Sequence, residues 1–193
     1  MEMFERNKEK IIYTLKHRLA FFKCVDAYCK EEDKAELYRR AMFHDMDKVV
    51  LNCLCDEEFA SKLHNRFTRH HKKQPGADVS LYDYIEMAID WECARYTKPD
   101  KPLNAYLTMA SFYPQLEDNI LPILKEMGID RPENDDRKDI IDEIKDYNVD
   151  SNVIKSEIEN YINNFENSCD KYEVIQEAIK VYKKLESKSV KSR

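Results

Sequence analysis

Ile11, Ile12, Leu15, Leu19, Phe22 and Val25 recur at three- and four-residue spacing, which predicts a long amphipathic helix over residues 4–30. The charged run Glu31-Glu32-Asp33-Lys34 is expected to loosen the chain before a second helix, from about Ala35 to Phe43, that leads into His44-Asp45. A short apolar piece, Val49-Val50-Leu51, follows. Asp56 is a good N-cap, with Glu57 and Glu58 in the first turn, for a helix running to Lys72-Lys73, where Gln74-Pro75-Gly76 stops it.

Ser80 and Asp83 form a capping box with Asp in the usual Glu position, and Leu81, Tyr84, Ile85, Ala88 and Trp91 then line one helical face. Lys98-Pro99-Asp100-Lys101-Pro102 reads as a turn. Two shorter helices are expected next, one reaching Phe112 and one from Leu116 to Met127, with Gly128 as C-terminal stop. The polar stretch 130–136 is the best boundary, dividing residues 1–129 from a charged helical extension, 130–193. Two or three helices are expected there, near 137–147, 153–165 and 170–187. Ile154, Ile158, Tyr161, Ile162 and Phe165 give the middle one an apolar stripe, and the last six residues read as frayed.

Composition supports the same fold class. Two glycines in 193 residues leave few tight hairpins and no Gly-rich phosphate loop, which excludes Rossmann and P-loop readings. The chain reads as all-α, and 42% apolar residues suffice for a core. The N-terminus is charged and no apolar run reaches membrane-spanning length, so a soluble, cytoplasmic protein is expected, without a membrane partner and with its six cysteines as reduced thiols. The net charge of −6 is uneven. Residues 1–75 hold 16 Lys+Arg against 13 Asp+Glu, a net of +3, whereas 76–193 hold 16 against 25, a net of −9. A mildly basic half attracts a small anion, but the field is too weak for duplex nucleic acid.

All five histidines, His17, His44, His64, His70 and His71, precede residue 72. Confined to one segment with acids among them, they suit a divalent metal held by imidazole nitrogens and carboxylate oxygens. On a continuous helix His64 and His71, seven residues apart, point nearly the same way, and His70 lies about 100° off that direction. Asp90 stands mid-helix between Ile89 and Trp91, where an acid is costly unless paired or metal-bound.

The order His17, His44-Asp45, His64, His70-His71 and Asp90 resembles the HD superfamily of metal-dependent phosphohydrolases. The segment His44-Asp45-Met46-Asp47-Lys48 is similar to the family's HDxxK stretch, and Phe43 to Lys48 with Ile89-Asp90-Trp91 also resembles a group of uncharacterised bacterial and phage HD-like proteins. The resemblance covers roughly residues 10–113, and it departs from many nucleotide-signalling members in having Asp47 where they have Gly before the Lys. It implies an HD-like multi-helix bundle in residues 1–129. It also implies one or two divalent ions (Mn, Fe, Co, Mg or Zn) held by His17, His44, Asp45, His64, His70, His71 and Asp90, with His70 against His71 left open. A metal-bound water would then attack a small phosphorylated substrate, a nucleotide being favoured. Asp45 would bridge metals or orient the water, Lys48 would hold the phosphate, and Asp47 is an N-cap, a partner for a histidine or a proton-transfer group. Arg66 and Arg69 are candidate anion contacts, and Tyr82, Tyr84, Trp91, Tyr96 and Tyr106 a candidate surface for a base.

Two rivals stand beside this reading. One is an HD-fold di-iron oxygenase. The other is a helical interaction module without metal, its C-terminal stripe packing on a partner or on a second copy to give a homo-oligomer.

Overall fold

The computed structural model describes residues 2–71, 73–76, 78–98, 103–133 and 137–191, with side chains to 188. Its helices are α1 (Glu2–Tyr28), α2 (Glu31–Ala41), α3 (Met46–Leu54), α4 (Glu57–Phe67) and α5 (Leu81–Thr97). They continue as α6 (Ala105–Phe112), α7 (Glu117–Met127), α8 (Lys138–Asp146), α9 (Ser151–Asn164) and α10 (Glu173–Lys191). Short 3-10 turns lie at Arg69–His71, Pro114–Leu116 and Phe165–Asn167. Among the described residues there is no strand, so the chain is all-α. No helix among them is long and apolar enough to cross a membrane.

The chain forms two compact units, each assembled from separated segments. The first comprises Met1–Leu15, Met42–Phe67 and Val149–Arg193. Here α3 packs against α4, α9 and α10. The stripe of α9 is spent in this unit's core: Ile154, Ile158, Tyr161 and Phe165 are buried, as are Ile11, Val49, Val50 and Ile175. Asp150 caps α9 by accepting from the Asn152 and Val153 amides. Asp56 does the same for α4, accepting from the Phe59 amide at 2.9 Å.

The second unit comprises Lys16–Ala41 and Thr68–Asn148. Its centre is α5, which packs against α2, α6, α7 and α8. The expected capping box is present: the Ser80 hydroxyl accepts from the Asp83 amide, and the Asp83 carboxylate accepts from the Ser80 amide. Gly128 ends α7 at φ 72°, a left-handed position suited to glycine.

Several local expectations are corrected. Glu31 to Lys34 do not loosen the chain but open α2, because acids in a first turn face the positive end of the helix dipole. Val49-Val50-Leu51 is no isolated piece but the middle of α3. The helix after Asp56 ends at Phe67, well short of Lys73. The 3-10 turn that follows starts at Arg69, whose guanidinium is held by Asp83 at the start of α5, a tie that periodicity does not report. The single apolar face expected of α5 is also too narrow. Leu81 is 60% exposed, while Met87, Ile89 and Cys93 are buried, because neighbouring helices surround α5. Of the expected turn at 98–102, residues 99–102 lie outside the described residues, as do 134–136 of the expected boundary and 192–193 of the frayed end.

Candidate metal centre

In the first unit the site begins where residues 42–45 turn into α3. Asp45 precedes the first residue of that helix with φ 59° and ψ 4°, the one non-glycine residue of positive φ among those described. Asp tolerates this region better than most residues, yet the conformation still costs on the order of 1–3 kcal/mol. The turn presents His44 and Asp45 together, both buried, with His44 Nε2 3.9 Å from Asp45 Oδ1. One turn into α3, Lys48 Nζ donates to Asp45 Oδ2 at 2.9 Å.

From α4, His64 enters with no solvent exposure and bridges two carboxylates. Its Nε2 stands 3.0 Å from Asp45 Oδ1. Its Nδ1–H donates to the Asp47 carboxylate, 2.9 and 2.8 Å from the two oxygens. Asp47 also accepts the Tyr172 hydroxyl at 2.7 Å, and the Tyr172 ring stacks on Phe67 with centroids 4.9 Å apart. Burial alone would raise the Asp45 carboxyl, but Lys48, His44 and His64 hold it well below its ordinary value. Burial likewise opposes ionisation of Asp47, and His64 with the Tyr172 hydroxyl brings it down to about 2. Both acids are therefore carboxylates at neutral pH, the state a cation requires. Tyr172 is pushed far up by burial and by the Asp47 charge, so it stays a donor.

The second unit carries a different arrangement. His17 Nε2 on α1 lies 2.7 Å from Asp90 Oδ1 on α5, and His17 Nδ1 lies 3.2 Å from the Thr97 hydroxyl, which donates to the Cys93 carbonyl. His70 is buried with Nδ1 3.3 Å from Glu86 Oε1, and its ring meets that of His71 at 4.5 Å between centroids. Arg40 donates to Glu36, Asp83 and Glu86 at 2.9, 2.8 and 3.0 Å, while Arg69 donates to both oxygens of Asp83 at 3.1 and 2.7 Å. Burial opposes the Asp83 charge, but these guanidiniums and Ser80 hold its carboxyl far below the ordinary range.

The chain matches no family model, no curated protein and no solved structure.

His44, Asp45, Asp47, Lys48 and His64 come together in the first unit. In the second, His17 meets Asp90, and His70 meets His71. Because α4 stops at Phe67, His64 and His71 do not share a helix, and the argument from a continuous helix does not apply to them. Arg66 is exposed on α4, its guanidinium over the Phe67 ring at 5.3 Å, whereas Arg69 is committed to Asp83. Of the aromatic candidates, Tyr84, Trp91 and Tyr96 are buried and Tyr82 and Tyr106 half-buried. Trp91 stacks on Tyr113 at 4.7 Å.

Two residues escaped the sequence reading. Glu86 lies between apolar Ile85 and Met87, the same signal that marked Asp90, and it is buried. Tyr172 lies 125 residues from Asp47, and no local pattern announces that contact.

Proposed function

We propose that this chain is a metal-dependent phosphohydrolase acting on a small phosphorylated substrate, a nucleotide being the favoured class. The observation that carries the reading is the buried His44-Asp45 turn with His64 at 3.0 Å and a second carboxylate, Asp47, behind that histidine. Carboxylate–histidine pairs of this kind fix a ligand's tautomer and orientation. The arrangement also agrees with the resemblance of His44-Asp45-Met46-Asp47-Lys48 to the HDxxK stretch.

The first-unit ligands we assign are Asp45 and His64, 3.0 Å apart, with His44 beside Asp45 at 3.9 Å as a further candidate. Their nitrogen and oxygen donors, without cysteine, fit Mn²⁺, Fe²⁺, Co²⁺, Mg²⁺ or Zn²⁺. Such an ion, when bound, lowers the pKa of a bound water and polarises a phosphoryl oxygen. The protein's own work is positioning. Asp45, kept ionised beside Lys48, would hold the ion and orient its bound water. Lys48, half-buried beside Asp45, neutralises charge on the phosphoryl group. Asp47, engaged by His64 and Tyr172, holds the histidine rather than moving a proton. The charged extension, whose role the sequence left open, would then support the site through Tyr172. Apart from half-buried Ile162, the stripe that suggested an interaction module is buried within its own unit, so it lends that rival little support.

Elemental mass spectrometry of the purified protein beside Asp45→Asn is the test. Asparagine also tolerates a left-handed backbone, so this substitution removes the charge with little added strain. A transition metal retained by wild type and lost by the variant supports the reading and leads to a screen of phosphorylated nucleotides. No metal in either, after exposure to Mn²⁺, Fe²⁺ and Zn²⁺, sinks it. The same assay on His17→Ala, His70→Ala, His71→Ala and Asp90→Ala tests whether these expected ligands contribute to metal binding.

A further inference from the structure

We propose that α10 carries a self-association surface, the seam Val174-Ala178-Val181-Leu185, which pairs antiparallel with the same helix of a second copy of this chain. The proposal depends neither on the metal reading nor on the stripe of α9.

Positions 174, 178, 181 and 185 follow one another at spacings of four, three and four, the pattern of the inner positions of two heptads. On α10 they share a narrow arc and run about 16 Å along the helix. This is not the side that α10 turns to its own core. Ile175 and Ile179 take that role, buried about 100° round the helix, and α10 packs on α3. Val174, Val181 and Leu185 are instead 37%, 48% and 52% exposed, a row of large aliphatic side chains facing solvent. Exposed Lys188 closes the row one turn after Leu185.

The charges beside the seam say what covers it. Glu173 and Glu177 lie at the start of α10, whereas Lys180, Lys183, Lys184 and Lys188 lie toward its end, all of them exposed. Glu177 and Lys184 are seven residues apart and flank the seam on the same side. In an antiparallel pair, Glu177 of each copy meets Lys184 of the other, and the two-fold axis repeats the contact. Glu177 also reaches Lys180 at 2.5 Å, but that pair is solvent-exposed and worth little, so it does not commit the acid. The same register sets Ala178 against Val181 and Val174 against Leu185, a smaller side chain against a larger one in every layer. A parallel pair would stack Ala178 on itself and bring the basic ends together. An anionic lipid surface fits less well, because Glu173 and Glu177 would face its charge. Two heptads bury less than a standard stable interface, so the dimer is weak and concentration-dependent.

The test is sedimentation equilibrium of the full chain at concentrations up to about 1 mM, with chelator present so that no metal bridges two copies. Wild type should show a reversible dimer. Val181→Lys, at an exposed position, should weaken it at least about 10-fold and leave helical circular dichroism unchanged. Glu177→Lys and Lys184→Glu should each weaken it about 10-fold, because two attractive contacts become repulsive. An equal mixture of these two variants should regain wild-type association, since each then meets the opposite charge on the other at both flanking positions. A wild type that stays monomeric at about 1 mM overturns the proposal. So does a Val181→Lys variant that dimerises like wild type, or a mixture no stronger than either charge variant alone. Monomeric wild type that sediments with phosphatidylserine vesicles would make a lipid surface the occupant and overturn it as well. If Val181→Lys loses its helical signal, Leu185→Gln takes its place with the same expected loss, and unchanged association then overturns the proposal.

Discussion

The two units each bury several charges, both pair acids with histidines, and the second adds an arginine network. In the second, the acids Glu36, Asp83 and Glu86 are met by the guanidinium of Arg40, and Asp83 also by Arg69 and by the capping serine. Guanidinium is permanently charged, forks onto carboxylates and does not bind metals, so this network ties α2 and the 69–71 turn to α5. In the first unit no arginine meets Asp45 or Asp47 in the contacts described above. Their partners are histidines, a tyrosine and one lysine. Imidazole is neutral or charged at little cost and is a good metal ligand, and the Asp45 backbone is held in a strained conformation. Arginine closes a buried acid into architecture, whereas a histidine beside a buried acid is itself a group that can ligate a metal.

Arg40 gives the strongest way to break this contrast. Arg40→Ala removes a guanidinium shared by two buried carboxylates, and a loss of about 3 kcal/mol is expected in denaturant unfolding. A loss under 1 kcal/mol would mean that the network is not structural. For the first unit, Asp45→Asn should cut metal affinity by at least about 100-fold and leave helical circular dichroism unchanged, measured by competition with a chelator. If affinity persists, the histidine-rich centre is architecture too.

The pH dependence of stability sharpens the comparison. The Asp83 carboxyl is held far below its ordinary value in the folded state, mainly by Arg69 and Arg40 against the opposing effect of burial. A depressed folded pKa adds stability that is complete above the usual carboxylate range and fades as pH falls through and below it. Asp83→Asn should therefore destabilise at pH 7 and have a progressively smaller effect as unfolding is measured toward pH 2. A difference that does not shrink would move the effect to the capping box. The smallest effect is local. Asp150→Ala removes the cap of α9, with a cost of about 1 kcal/mol in thermal unfolding and the Co²⁺ affinity unchanged.

Much of the local structure is legible in the chain because its causes are local. Asp56, Ser80 with Asp83, and Gly128 mark helix ends through hydrogen bonds or backbone conformations spanning a few residues. At Glu31 to Lys34 the charged run is expected to loosen the chain, but the helix dipole together with the packing of α2 on α5 makes it the start of a helix.

The candidate site is legible by type and less by partner. The sequence alone determines an all-α chain, through scarce glycine and helical periodicity, and it marks His44, Asp45, Asp47, Lys48 and His64 as chemistry-bearing through residue type and order. It also offers Asp47 three roles without choosing among them. Tertiary structure alone decides that Asp47 meets His64 and Tyr172, that Arg69 belongs to Asp83 and that Glu86 joins Arg40 and His70. It decides as well that α4 ends before His70 and His71, and that residues 149–193 share a unit with 42–67. The physical reason is range. Caps and periodicity act within a few residues, whereas a buried carboxylate is satisfied by whichever donor the fold brings within 3 Å, at whatever distance along the chain.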